Sequence, residues 1–87
     1  MDIKNVTVSS LRADTVFGAV FGRSRSDAQE FIRSEKASVN WAVVRSPSDI
    51  IKEGDILSLK GGGRGKLIEI GGMTKKGRTV ITIGRYI

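Results

Sequence analysis

The sequence predicts an α+β domain in which two short helices pack against a small, mainly antiparallel sheet. Two stretches between residues 10 and 36 carry helical apolar spacing, and the residues after them read as short strands punctuated by turns and glycines. Paired helices succeeded by a run of strands is the order of an α+β domain, not of a sheet wound from alternating units. At 87 residues the chain supports one modest core and is too short for two.

Val6 and Val8 alternate with polar residues across Asn5 to Ser9, a short strand. Ser9 or Ser10 is placed to cap the first helix, its hydroxyl accepting a free amide of the opening turn. Leu11, Val16, Phe17, Val20 and Phe21 give that helix an apolar side, and Gly22 ends it. Gly18 inside it costs about 1 kcal/mol relative to alanine, which points to close packing. In the second helix Ser26 and Gln29 have capping-box spacing, and Ala28, Phe31 and Ile32 share one face. Arg33 and Lys36 suit its carboxyl end. Helices this short need a surface to pack on.

That surface is the sheet. Ser38 to Arg45 is valine-rich and contains Trp41, which is expected to pack in the core or at an edge, the alternative being a base-stacking platform. Ser46-Pro47-Ser48-Asp49 and Glu53-Gly54-Asp55 are turns. Ile56, Leu57 and Leu59 open the next strand, Gly61 to Gly65 is a flexible basic loop, and Leu67, Ile68 and Ile70 precede Gly71-Gly72. Met73 to Arg78 is expected to be an exposed loop, and Thr79 to Ile83 a closing strand.

Absent residue types restrict the chemistry. Without cysteine or histidine there are no disulfides, no thiolate nucleophile, few routes to zinc and none of the commonest general base. Asp14 and Asp55 have no partnered base or nucleophile and read as salt-bridge or turn residues. No catalytic residue, metal site, cofactor or small-molecule substrate is expected. No apolar run approaches the roughly 20 residues of a membrane span, and Met1 to Lys4 lacks a signal-peptide layout. A soluble intracellular protein, or a fragment of one, is the expectation.

The net charge of +6 is unevenly placed. Up to Asp55 eight bases balance eight acids; from Ile56 onward seven bases face Glu69 alone. A basic, glycine-rich half points to a polyanion partner, against the alternative of a merely soluble basic surface. The turn Arg23-Ser24-Arg25-Ser26 precedes a helix, where free amides and the dipole favour an anion and two arginines add fork-shaped donors. The triglycine loop with Lys60, Arg64 and Lys66 lets amides approach a phosphate but lacks the ending of a nucleotide P-loop; its alternative is a hairpin connection with incidental charge. Lys75, Lys76 and Arg78 form a further basic cluster.

The order of several residues is recognisable. Arg12-Ala13-Asp14, Ser24-Arg25, Ala28, Phe31-Ile32, Val39-Asn40 and Gly54-Asp55 resemble the RNA-binding domain named after ribosomal protein S-four. Asn40-Trp41, Lys60 to Arg64 and Thr74 to Arg78 are similar to the carboxyl-terminal portion of its YlmH-like subgroup and of the photosystem II S-four-domain proteins. The resemblance implies the alpha-L motif and binding of structured RNA, ribosomal or transfer RNA, on the ribosome, in translation or rescue of stalled large subunits. The implied compartment is the cytoplasm, or the chloroplast stroma for the photosynthetic relatives. By position it makes Arg12, Ser24, Arg25 and Asn40 RNA-face or face-shaping residues. Three departures stand out: Ala13 for leucine, Ala37 for valine, and Glu35 for the glycine that ends the second helix.

The expectation is thus one domain over residues 1–87, with a core at 10–60 and a basic β extension at 61–87, forming a segment of a longer protein. The alternatives are a protein-interaction module linked to cell division or photosystem assembly, and an accessory RNA-binding domain of an RNA-modifying enzyme.

Overall fold

The computed structural model describes residues 1–86. In chain order it contains β1 (Asp2–Val8), α1 (Ala13–Phe21), α2 (Arg25–Arg33), β2 (Ala37–Val39), β3 (Ala42–Val43), β4 (Ile56–Leu59), β5 (Gly63–Met73) and β6 (Thr79–Arg85). The strands form one sheet in the order β1-β6-β5-β4-β2-β3, and every neighbouring pair is antiparallel. The architecture is α+β, as the sequence predicts, and fits the alpha-L fold.

Both helices lie on one face of the sheet, α1 against β1, β5 and β6 and α2 against α1. Val16, Phe17, Val20 and Phe21 of α1, with Ala28 and Ile32 of α2, are buried on Val8, Leu57, Leu59, Leu67, Ile81 and Ile83. Residues read as a carboxyl-terminal extension therefore share the core of the helical part, and β6 reaches back to pair with β1 along its whole length. Two glycines allow this closeness. A Cβ on Gly18 would lie 2.8 Å from the Arg23 carbonyl, and one on Gly65 would run into Val20 of α1.

Several local expectations are corrected. Neither Ser9 nor Ser10 caps α1; its N-cap is Arg12, whose side chain makes no capping bond. The amides of Ala13 and Asp14 donate instead to the carbonyls of Asp49 (2.7 Å) and Pro47 (3.1 Å), so a distant turn closes the helix start. The α2 cap is Ser24, not Ser26: its hydroxyl accepts from the Asp27 amide at 3.0 Å. Ser38 to Arg45 is not one strand but the β2–β3 hairpin, turned at Asn40-Trp41. The glycine-rich loop is shorter than expected, because Gly63 to Gly65 already belong to β5. Gly71 and Gly72 do not end that strand, which continues to Met73 past two register shifts.

One carboxylate ties the helices together. Asp14 is fully buried. Its Oδ2 accepts from Gln29 Nε2 (2.9 Å), Arg25 Nε (3.1 Å) and Arg12 Nη2 (3.2 Å), and its Oδ1 from Arg12 Nε (3.2 Å) and Thr15 Oγ1 (3.3 Å). Gln29, expected to reach back in a capping box, has this acceptor instead. Burial alone raises the Asp14 pKa, but the hydrogen bonds from Gln29, Arg12 and Arg25 and the charge of Arg25 outweigh it and hold the group at about 2, below its ordinary 3.8.

A folded pKa below the unfolded one stabilises the native state above the unfolded value, and this contribution is lost as pH falls through the folded one. Asp14→Asn is expected to lower stability by about 2 kcal/mol at pH 7. Urea melts of both proteins should show the gap closing between the ordinary pKa of 3.8 and about 2; a gap constant down to pH 2 contradicts the assignment. Glu35 sits just past α2 at φ 60°, a left-handed conformation that favours glycine. Glu35→Gly is expected to raise stability by roughly 0.5–1 kcal/mol, seen as a higher urea midpoint with unchanged slope.

Candidate nucleic-acid interface

Ten of the eleven residues expected at the interface fall into three regions, and Asn40 lies apart, in the β2–β3 turn. At the helix starts, Arg12 and Arg25 meet on Asp14, while their side chains stay 36% and 52% exposed. Arg25 uses only Nε in this contact, with its side chain half exposed, and the carboxylate that holds it remains ionised above pH 4. Ser24 caps α2, and the Arg23 guanidinium lies 5.7 Å from the centre of the Phe31 ring. The basic turn is a built corner, with its charges oriented by internal partners.

The second region lies at the β4–β5 hairpin. Lys60 is exposed, and its amide donates to the carbonyl of Lys36 at 2.9 Å, so a base not expected at the interface stands beside it. Leu57 pairs with Gly65, and Gly65 and Leu67 face the helices. Alternation therefore turns Arg64 and Lys66 to the opposite face of the sheet. Arg85, also unexpected here, lies on the helix side, 5.3 Å from the Phe21 ring centre, with Nη2 donating to the Gly62 carbonyl at 2.8 Å.

The third region is the β5–β6 turn, which exposes Lys75 and Lys76. Arg78, expected in the exposed basic cluster, clamps β1: its Nε donates to Thr7 Oγ1 (3.1 Å) and its Nη2 to the Thr7 carbonyl (2.9 Å). Strand β5 has 11 residues. At about 3.3 Å each it separates Lys75 and Lys76 from Lys60 and Arg64 by nearly the length of the molecule, whose longest extent is 35 Å. The basic half is thus two patches, not one.

Asn40 and Trp41 form the two-residue turn of the β2–β3 hairpin, both with positive φ, 49° and 68°. That is the type I′ geometry, in which asparagine followed by glycine is preferred. Asn40 has a structural role: its Oδ1 accepts from the Ile56 amide (2.9 Å) and its Nδ2 donates to Asp55 (3.0 Å). Trp41, expected to pack inside or at an edge, is 70% exposed, with the Arg64 guanidinium 5.6 Å from its ring centre. The signal for this was present but weak, an asparagine between Val39 and Ala42 with no glycine after it. Beyond the turn, a cleft of about 360 Å³ is lined by Val39, Ala42, Val43, Val44, Ile50 and Ile51 with Asp49, and carries no base.

Residues 14–57 match the S4 domain family. Across 85 residues, 98% of the chain, the sequence is 42% identical to the "Ribosome-associated protein quality control protein P2" of Bacillus subtilis strain 168. The chain spans about a third (33%) of that relative's length. Buried Asp14 with Arg12 and Arg25 around it, the Asn40 turn and the Gly54-Asp55 turn all lie within or beside the matched segment. By fold, motif and similarity, the chain belongs to the S4 domain family.

Proposed function

We propose that this domain binds structured RNA, ribosomal or transfer RNA, without catalysis, and that it works on the ribosome in translation or in the rescue of stalled large subunits. Membership of the S4 family and similarity to a protein named for ribosome-associated quality control support this reading. The observation that carries it is the distribution of charge: the whole excess of +6 comes from residue 56 onward, in patches at the β4–β5 hairpin and the β5–β6 turn, while Arg12 and Arg25 are held on Asp14 at the helix starts. Arg12, Arg25, Lys60, Arg64 and Lys66 carry the phosphate contacts, with Arg23, Lys75 and Lys76 adding attraction from further away. Ser24, Asn40 and Arg78 shape the face through internal bonds. No helix is long and apolar enough to cross a membrane, and the cytoplasm is the proposed compartment.

Phosphate contacts position an RNA, and its shape and 2′-hydroxyls distinguish it. Removing one phosphate-binding base should lower the slope of log affinity against log salt by about 0.7–0.9. Lys60→Ala and Lys66→Ala are the clean variants, because neither side chain has an internal partner among the described residues; Arg25→Ala also strips Asp14 of a donor. Binding of a ribosomal RNA hairpin measured from low to high salt should be weaker and less salt-dependent in both lysine variants. Affinity that ignores salt, or that neither variant changes, overturns the reading.

A further inference from the structure

We propose that Trp41, with Arg64 on its ring, is a stacking platform for an unpaired nucleobase of bound RNA. The inference rests on the RNA-binding reading and adds to it a site for single-stranded bases, where the helix corner and the lysines offer only phosphate contacts.

Three features of the turn converge. Trp41 holds a left-handed backbone at φ 68°, in the turn position where glycine is preferred. A bulky residue there is an outlier, and backbone strain of this kind collects at functional sites. Secondly, the strain is not offset by burial: the ring is 70% exposed, although it is the largest apolar side chain in the molecule. Thirdly, its neighbour is a cation. The Arg64 guanidinium lies over the ring, 5.6 Å from its centre, while the residue as a whole stays exposed. The geometry is that of a platform, one aromatic plane with a phosphate donor beside it.

Neighbouring residues extend the surface. The Tyr86 amide donates to the Arg64 carbonyl at 2.9 Å, and Arg85 next to it pairs with Gly65. Gly65 and Arg85 face the helices, so alternation brings Tyr86 to the face of Arg64 and Lys66. Tyr86 is 42% exposed. The face away from the helices thus carries Trp41, Arg64, Lys66 and Tyr86, aromatic rings alternating with bases. Stacking on such rings tolerates any base and is available only where the base is unpaired. Charge selects the occupant: an aromatic patch among these bases fits a polyanion with flat apolar faces better than a protein surface of mixed charge.

Trp41 is the sole tryptophan among the 87 residues, so its emission reports on this site alone. The 87-residue chain is titrated with a fluorescently labelled RNA hairpin bearing an unpaired purine loop and, separately, with a blunt duplex of the same length; anisotropy reads binding and tryptophan emission reads stacking. Both RNAs should bind through their phosphates, but only the loop should quench Trp41. Trp41→Gly relaxes the turn, so the variant should be at least as stable to urea as the parent while binding the loop roughly 5- to 150-fold more weakly. Its affinity for the duplex should be nearly unchanged. Equal emission at saturation with either RNA, or a Trp41→Gly variant that binds the loop as tightly as the parent, overturns the platform, leaves RNA binding standing and returns the ring to a protein contact. Anisotropy that responds to neither RNA removes the RNA-binding reading, and the platform with it.

Discussion

The buried carboxylate of Asp14 is the constraint on which the helical half depends. An ionised group fully out of water is tolerable only when its lone pairs are filled and its charge is matched. Here two arginines, a glutamine and a threonine do this, and they come from the start of α1, its preceding residue and the first two turns of α2. The network therefore fixes how α2 crosses α1, which Gly18 allows by letting the chain at Arg23 and Ser24 come close. It also orients the two guanidiniums. An arginine that must be immobilised on binding loses side-chain entropy; one already held by Asp14 has less to lose. A residue that looks purely structural thus sets up the proposed phosphate contacts.

A second constraint is backbone handedness. Glu35, Asn40 and Trp41 are the non-glycine residues with positive φ among those described, and they bracket β2. Asparagine tolerates this region, and the bonds from Asn40 to Ile56 and Asp55 hold the turn there. With the hairpin turned at Asn40, Trp41 follows in the left-handed region, and its ring stands outside the core. The same clasp joins the β2–β3 turn to the Gly54-Asp55 turn, whose Asp55 Oδ2 also accepts from the Lys52 amide at 2.8 Å. Side-chain hydrogen bonds thus tie the two surface turns together.

Charge in this protein is placed by the length of its strands. Because β5 runs nearly the full length of the molecule, bases close in sequence, such as Lys66 and Lys75, end far apart. Bases distant in sequence meet: Lys36 and Lys60, and Arg12 and Arg25. At physiological ionic strength the Debye length is about 8 Å, so the two ends attract a polyanion almost independently.

Periodicity and residue chemistry by themselves determined the two helices, their buried faces at Val16, Phe17, Val20, Phe21, Ala28 and Ile32, the α+β class and the placement of charge, because each is a property of neighbours along the chain. The ordered residues from Arg12 to Asp55 made the family legible as well. Features that depended on partners remote in sequence were not legible. The start of α1 is closed by carbonyls some 35 residues away, so no local serine was needed. Gln29 found Asp14 in place of its own helix terminus, and Arg78 found Thr7 across the β1–β6 pair. Trp41 was decided the same way. Its hydrophobicity argues for burial, but the hand of the turn set by Asn40, Asp55 and Ile56 puts it in solvent beside Arg64, and only tertiary hydrogen bonds fix that hand.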